Sequence, residues 1–83
     1  MDKYEAGMLA RSKAGHDAGR VYVIMGVDDA YVYLVDGKGR TLDRPKKKKK
    51  RHVQAIFDRY DITDVDDVKI KRILKEWNKE EES

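Results

Sequence analysis

The sequence predicts a mainly β fold, a small barrel with a C-terminal α-helix, and three observations carry that expectation. Residues 20–25 and 30–35 are dense in β-branched and aromatic side chains and are separated only by Gly26-Val27-Asp28-Asp29, which is a hairpin pattern. In the second of these segments Tyr31, Tyr33 and Val35 share one face while Val32 and Leu34 share the other. Neither face is plainly polar, and a sheet covered on both faces curls or closes. The last third changes period: Ile70, Ile73, Leu74 and Trp77 recur at helical offsets.

Along the chain, residues 7–10 form a short apolar segment that enters the stretch Ser12-Lys13-Ala14-Gly15-His16-Asp17-Ala18-Gly19, which has two glycines and no large apolar residue and reads as a loop. The hairpin follows. Asp36-Gly37-Lys38-Gly39 is a turn of the kind that needs positive φ, and Arg40-Thr41-Leu42 is the expected fourth short strand. Pro45 then ends regular pairing because it has no N–H to donate. The six adjacent cations of residues 46–51 repel one another, so an extended, mobile arm is expected there. Residues 52–57 are expected to return as a closing strand through Val53, Ala55 and Phe57.

Thr63 with Asp66 resembles a capping box and predicts a helix over residues 64–78. Its apolar stripe, led by Val65, Ile70, Ile73 and Trp77, is expected to face the barrel. The tail Glu80-Glu81-Glu82-Ser83 is expected to fray. These elements divide the chain into residues 1–60, a barrel that includes a basic arm at 44–52, and residues 61–83, the helix with its acidic tail.

The chain of 83 residues fits one domain, which at this size buries only about 60% of the surface of its unfolded chain. It has no cysteine, so neither a disulfide framework nor a thiolate metal site is expected. The apolar stretches are too short to cross a bilayer, and no basic segment leads into an apolar signal region, so the cytoplasm is the expected compartment and no membrane association is expected.

Charge is segregated. Of all residues 42% are charged, yet the formal net charge is only +3. Residues 1–37 hold four Lys or Arg against six acids, residues 38–52 nine against one, and residues 53–83 six against nine. One central block therefore carries the whole positive excess of an otherwise mildly acidic chain, as a localised polyanion contact would require.

Two segments are candidate contacts. In the arm, Arg44, Lys46, Lys47, Lys48, Lys49, Lys50, Arg51 and His52 offer charge to backbone phosphates; a solvated linker and a nuclear-import signal are the other readings of such a run. In the loop, Gly15 and Gly19 let the backbone turn close to a sugar-phosphate chain while Lys13, His16 and Arg20 supply donors. An ordinary glycine turn is the alternative. Tyr22, Tyr31 and Tyr33 are candidates for a base-stacking platform, or for core packing with their hydroxyls at the surface.

No enzyme is expected. His16 and His52 are the only histidines, no His-Glu-x-x-His spacing occurs, and neither a phosphate-binding P-loop nor a calcium loop is present, so catalytic residues, metal and cofactor are all expected to be none. Asp64, Asp66 and Asp67 are explained by the dipole of the helix they precede.

The stretch Gly7-Met8-Leu9-Ala10-Arg11-Ser12-Lys13-Ala14-Gly15-His16-Asp17-Ala18-Gly19-Arg20-Val21-Tyr22-Val23-Ile24 resembles a KOW motif: an entering strand, a Gly-x-x-x-Gly-basic loop and a β-rich exit strand. With Val32-Tyr33-Leu34-Val35-Asp36-Gly37 and the following "RPKKKKK", the similarity extends over about residues 5–52 to the large-subunit ribosomal proteins numbered fourteen of archaea and eukaryotes. It is greater to the short bacterial KOW proteins related to them. The resemblance implies an SH3-like barrel that binds ribosomal or other structured RNA as a ribosome-associated factor in translation, with Gly19 as the glycine characteristic of the motif. The C-terminal helix lies outside it. A protein-protein adaptor using the barrel and that helix is the alternative function, and DNA is the alternative polyanion.

Overall fold

Side chains that alternate between two apolar surfaces decide the strand pattern in residues 3–82, the span described by the computed structural model. The strands are β1 (Met8–Ser12), β2 (Val21–Val27), β3 (Tyr31–Val35), β4 (Lys46–Lys49) and β5 (Val53–Arg59), and a helix, α1 (Asp67–Glu82), follows them. They form one antiparallel sheet in the order β4-β3-β2-β1-β5. The chain is mainly β and barrel-like.

Each face of the sheet has its own core. Met8 and Ala10 of β1, Tyr22 and Ile24 of β2, Val32 and Leu34 of β3 and Val53 of β5 pack together with Tyr4 on one face. Their neighbours Leu9, Val23 and Val35 point the other way, onto Ile70, Ile73 and Trp77 of α1. A strand buried on both sides needs apolar residues at consecutive positions, which is why the hairpin sequence shows no polar face. The helix supplies the second cover.

The two edge strands are joined by a single 3₁₀ turn, Lys50–His52. There the Tyr4 hydroxyl donates to the carbonyls of Lys50 (3.1 Å) and Val53 (3.0 Å). This fastens the N-terminal segment across the corner between β4 and β5, and the Lys13 N–H donates to the His52 carbonyl at 2.8 Å beside it.

Several expectations are corrected. The lysine run is not a mobile arm but β4, paired with β3 from Tyr31↔Lys49 to Leu34↔Lys46. Neighbouring side chains of a strand leave on opposite sides, which relieves much of the repulsion that the bare sequence implies. Arg40-Thr41-Leu42 forms no strand; the Leu42 N–H instead donates to Asp67 Oδ1 at 2.9 Å, tying the segment to the start of α1. β5 closes the sheet through Val53 and Ala55, but Phe57 is 68% exposed, because a register shift between Met8 and Leu9 pairs Met8 with Arg59 and leaves Phe57 without a partner residue on β1. The helix begins at Asp67, not 64. Asp64 takes φ 53°, and Asp66, whose Oδ1 accepts the Lys69 N–H at 2.8 Å, is the cap in place of Thr63. Glu80 and Glu81 continue the helix instead of fraying, as good helix formers do; Ser83 lies outside the described residues.

Candidate nucleic-acid interface

A carboxylate at the centre of the glycine loop organises the basic strand. The loop closes on itself through Gly19 N–H to the Ser12 carbonyl (2.8 Å) and Ser12 N–H to the Arg20 carbonyl (2.9 Å). Gly15 and Gly19 take φ of 87° and 92° there, a region that glycine enters without strain. This path turns Asp17 inward until it is 8% exposed. Its Oδ1 accepts from Ser12 Oγ (2.9 Å) and Lys48 Nζ (2.9 Å), and its Oδ2 from the Tyr22 hydroxyl (3.0 Å) and Lys46 Nζ (2.8 Å). Lys48 Nζ also donates to the Ala14 carbonyl at 2.8 Å.

Burial by itself would raise the Asp17 pKa. The ammonium groups of Lys46 and Lys48, with the Ser12 and Tyr22 hydroxyls, outweigh it and hold the carboxyl well below the usual carboxylate range. The same burial, together with the bond to Asp17, pushes the Tyr22 phenol up to about 12. Tyr22 is therefore a core residue with a satisfied hydroxyl, and its ring, 2% exposed, is no stacking platform.

The predicted contact residues separate into groups. Lys46 and Lys48 point to Asp17 and are half-buried; Lys47, Lys49 and Arg51 are exposed. Lys47 Nζ sits 4.3 Å from the centroid of the Tyr31 ring. Lys50 Nζ is held by the Asp29 carbonyl at 3.0 Å, and His52 is half-buried in the 3₁₀ turn. Lys13 and Arg44 are exposed, and neither side chain is among the partners of Asp17. His16, Arg20 and Lys46 line one cavity, together with Arg40.

Tyr31 and Tyr33 remain at the surface on the face of β3 opposite the inner core. The Tyr33 hydroxyl donates to Asp28 Oδ2 at 2.7 Å, and Asp28 Oδ1 accepts the Tyr31 N–H at 2.8 Å. Two rings and two outward cations, Lys47 and Lys49, thus occupy adjoining strands, with Arg51 in the turn that follows. Such a surface offers both phosphate contact and a π-face.

Sequence reasoning missed Asp17 and Arg40. The only signal for Asp17 was an acid between the two glycines of a basic loop, and for Arg40 a basic residue just after a glycine turn. Among the described residues no group of three or more His, Asp or Glu side chains is arranged to hold a metal ion, and no helix is long and apolar enough to cross a membrane. The chain matches no known family model, and no curated protein matches it.

Proposed function

We propose that the protein binds RNA through the solvent-facing side of β4 and the adjoining glycine loop, acting as a cytoplasmic, ribosome-associated accessory factor in translation. The observation that carries this reading is the division of labour along one strand. Lys46 and Lys48 are committed to Asp17, which fixes β4 in place, while Lys47 and Lys49 of the same strand, and Arg51 in the 3₁₀ turn that follows it, are left exposed. Cations at alternate positions of a strand stand about 6.6 Å apart. Each that neutralises a phosphate releases condensed counterions, and no set of side chains for reading base edges accompanies them, so recognition rests on backbone and shape. The resemblance of residues 7–24 to a KOW motif supports RNA, and ribosomal RNA in particular, as the polyanion.

The test is the combined variant Lys47→Gln, Lys49→Gln and Arg51→Gln, with binding of a fluorescent oligoribonucleotide followed by anisotropy over a range of salt. Loss of three contacts is expected to flatten the slope of log K against log salt by about 2 units on a single strand. An unchanged affinity and slope would remove β4 from the interface. Replacing Lys46 or Lys48 is a poorer test, because it also breaks the contact with Asp17.

A further inference from the structure

We infer that the cavity between the glycine loop and the turn at residues 36–40 is a subsite for a single phosphate group, gripped by Arg20 and Arg40; this rests on the RNA-binding reading above. The cavity has a volume of about 330 Å³, at the small end of the range of about 300–1,000 Å³ typical of ligand sites. Four basic residues line it: His16 and Arg20 from the loop, Arg40 from the turn and Lys46 from the start of β4.

Both of its carboxylates already accept hydrogen bonds, Asp17 through both oxygens and Asp36 through Oδ1. Asp17 is saturated by two hydroxyls and two ammonium groups, and Asp36 Oδ1 accepts the N–H groups of Lys38 (2.9 Å) and Arg40 (2.8 Å). The guanidinium groups of Arg20 and Arg40 make no hydrogen bond or ion pair among the described residues. Lys46 spends one bond on Asp17, and an ammonium has three to give. Unspent donors outnumber acceptors here. Two planar forks plus an ammonium exceed what the two oxygens of a carboxylate accept, and they suit the oxygens of a phosphate.

The site is also held in shape before any ligand arrives. Gly37, at φ 77°, lies so close to α1 that a Cβ would stand 2.4 Å from the Asp67 carbonyl oxygen. Both Asp36 and Gly37 donate their N–H groups to the Arg40 carbonyl, at 2.8 and 3.0 Å. The turn that presents Arg40 is therefore seated on the helix, and the loop that presents Arg20 is anchored by Asp17. Preorganised donors lose little entropy when a ligand binds.

A phosphate of this kind comes either from within an RNA backbone or from a terminal phosphomonoester. Arg40→Gln separates them when short oligoribonucleotides with a 5′-phosphate and with a 5′-hydroxyl are compared. Arg40 is exposed, so thermal unfolding should be unchanged, and Arg40→Lys, which keeps charge without the fork, should recover part of the loss. The expected result is about tenfold weaker binding in Arg40→Gln. A loss confined to the 5′-phosphorylated ligand supports the subsite with a terminal group as its occupant, and an equal loss for both supports it with a backbone phosphate. If Arg40→Gln binds both ligands as the wild type does while the Lys47, Lys49 and Arg51 variant weakens, the subsite is overturned and the β4 interface stands. If neither variant weakens binding, both fail.

Discussion

The carboxylate of Asp17 and the ammonium of Lys48, 31 positions apart in sequence, meet at 2.9 Å with both side chains almost entirely shielded from solvent. Through this contact the glycine loop holds the edge strand. It also divides a uniform run of lysines into those that maintain the fold and those that face outward.

Removing one member of a buried pair leaves the other as an uncompensated charge. Asp17→Asn is expected to cost about 2–3 kcal/mol, less than the 3–5 of a fully enclosed pair because Lys46 retains 26% side-chain exposure. Lys49→Gln, on the exposed side of the same strand, should stay within about 0.5 kcal/mol. Urea unfolding of the two variants beside the wild type measures the difference, and equal effects would contradict the division.

Stability should depend on pH at both extremes. Asp17 is depressed from 3.8, so the stability it contributes is present above that value and is lost as pH falls toward the lower pKa of the folded state, where the unfolded chain takes up a proton that the folded carboxylate refuses. Tyr22 is raised from 10.0 to about 12, so its contribution is intact below pH 10 and is lost as pH rises through that window. Asp17→Asn should make the acid limb shallower, and Tyr22→Phe should remove part of the alkaline limb. Chemical denaturation at a series of pH values reads both. Asp28, Asp43 and Asp61 are also depressed, chiefly by hydrogen bonds from Tyr33, Thr41 and Thr63 respectively, and will leave a residual acid limb.

Gly37→Ala should be costly where Gly39→Ala is not. At Gly37 the new methyl meets backbone at 2.4 Å and the residue must hold φ 77°, whereas at Gly39 nothing lies within 4 Å. Strain of this kind is worth about 1–3 kcal/mol before the helix shifts to make room, while an open surface position changes stability by about 0.5 kcal/mol or less. A thermal melt of each variant checks this, and a Gly37→Ala protein that melts with the wild type would show that the turn is not seated on α1.

The parts of the fold that were legible in the sequence were those written in periodicity. The hairpin showed in the double-sided apolar pattern of residues 20–35, and the helix in the spacing of Ile70, Ile73 and Trp77. What escaped were features set by single long-range contacts. The lysines read as a mobile arm because repulsion between them is visible in the sequence, while the opposing carboxylate lies 31 positions away and looks like one more loop residue. The helix start was misplaced because Thr63 and Asp66 both match a cap, and only the left-handed conformation of Asp64 decides between them. Phe57 fits an alternating strand until the shift between Met8 and Leu9 is known. For the candidate site, the glycine loop and the lysine run were both identified, but not that the run is a strand, nor which of its lysines face outward, nor that Arg40 joins Arg20 at one cavity.

The most direct measurement is a titration of side-chain-¹⁵N-lysine-labelled protein with a short oligoribonucleotide at low ionic strength, following each ammonium resonance. The account predicts that the Lys47 and Lys49 signals shift in a salt-sensitive way while that of Lys48 stays with Asp17. Lysine signals that do not move at all, or a Lys48 signal that moves first, would contradict it.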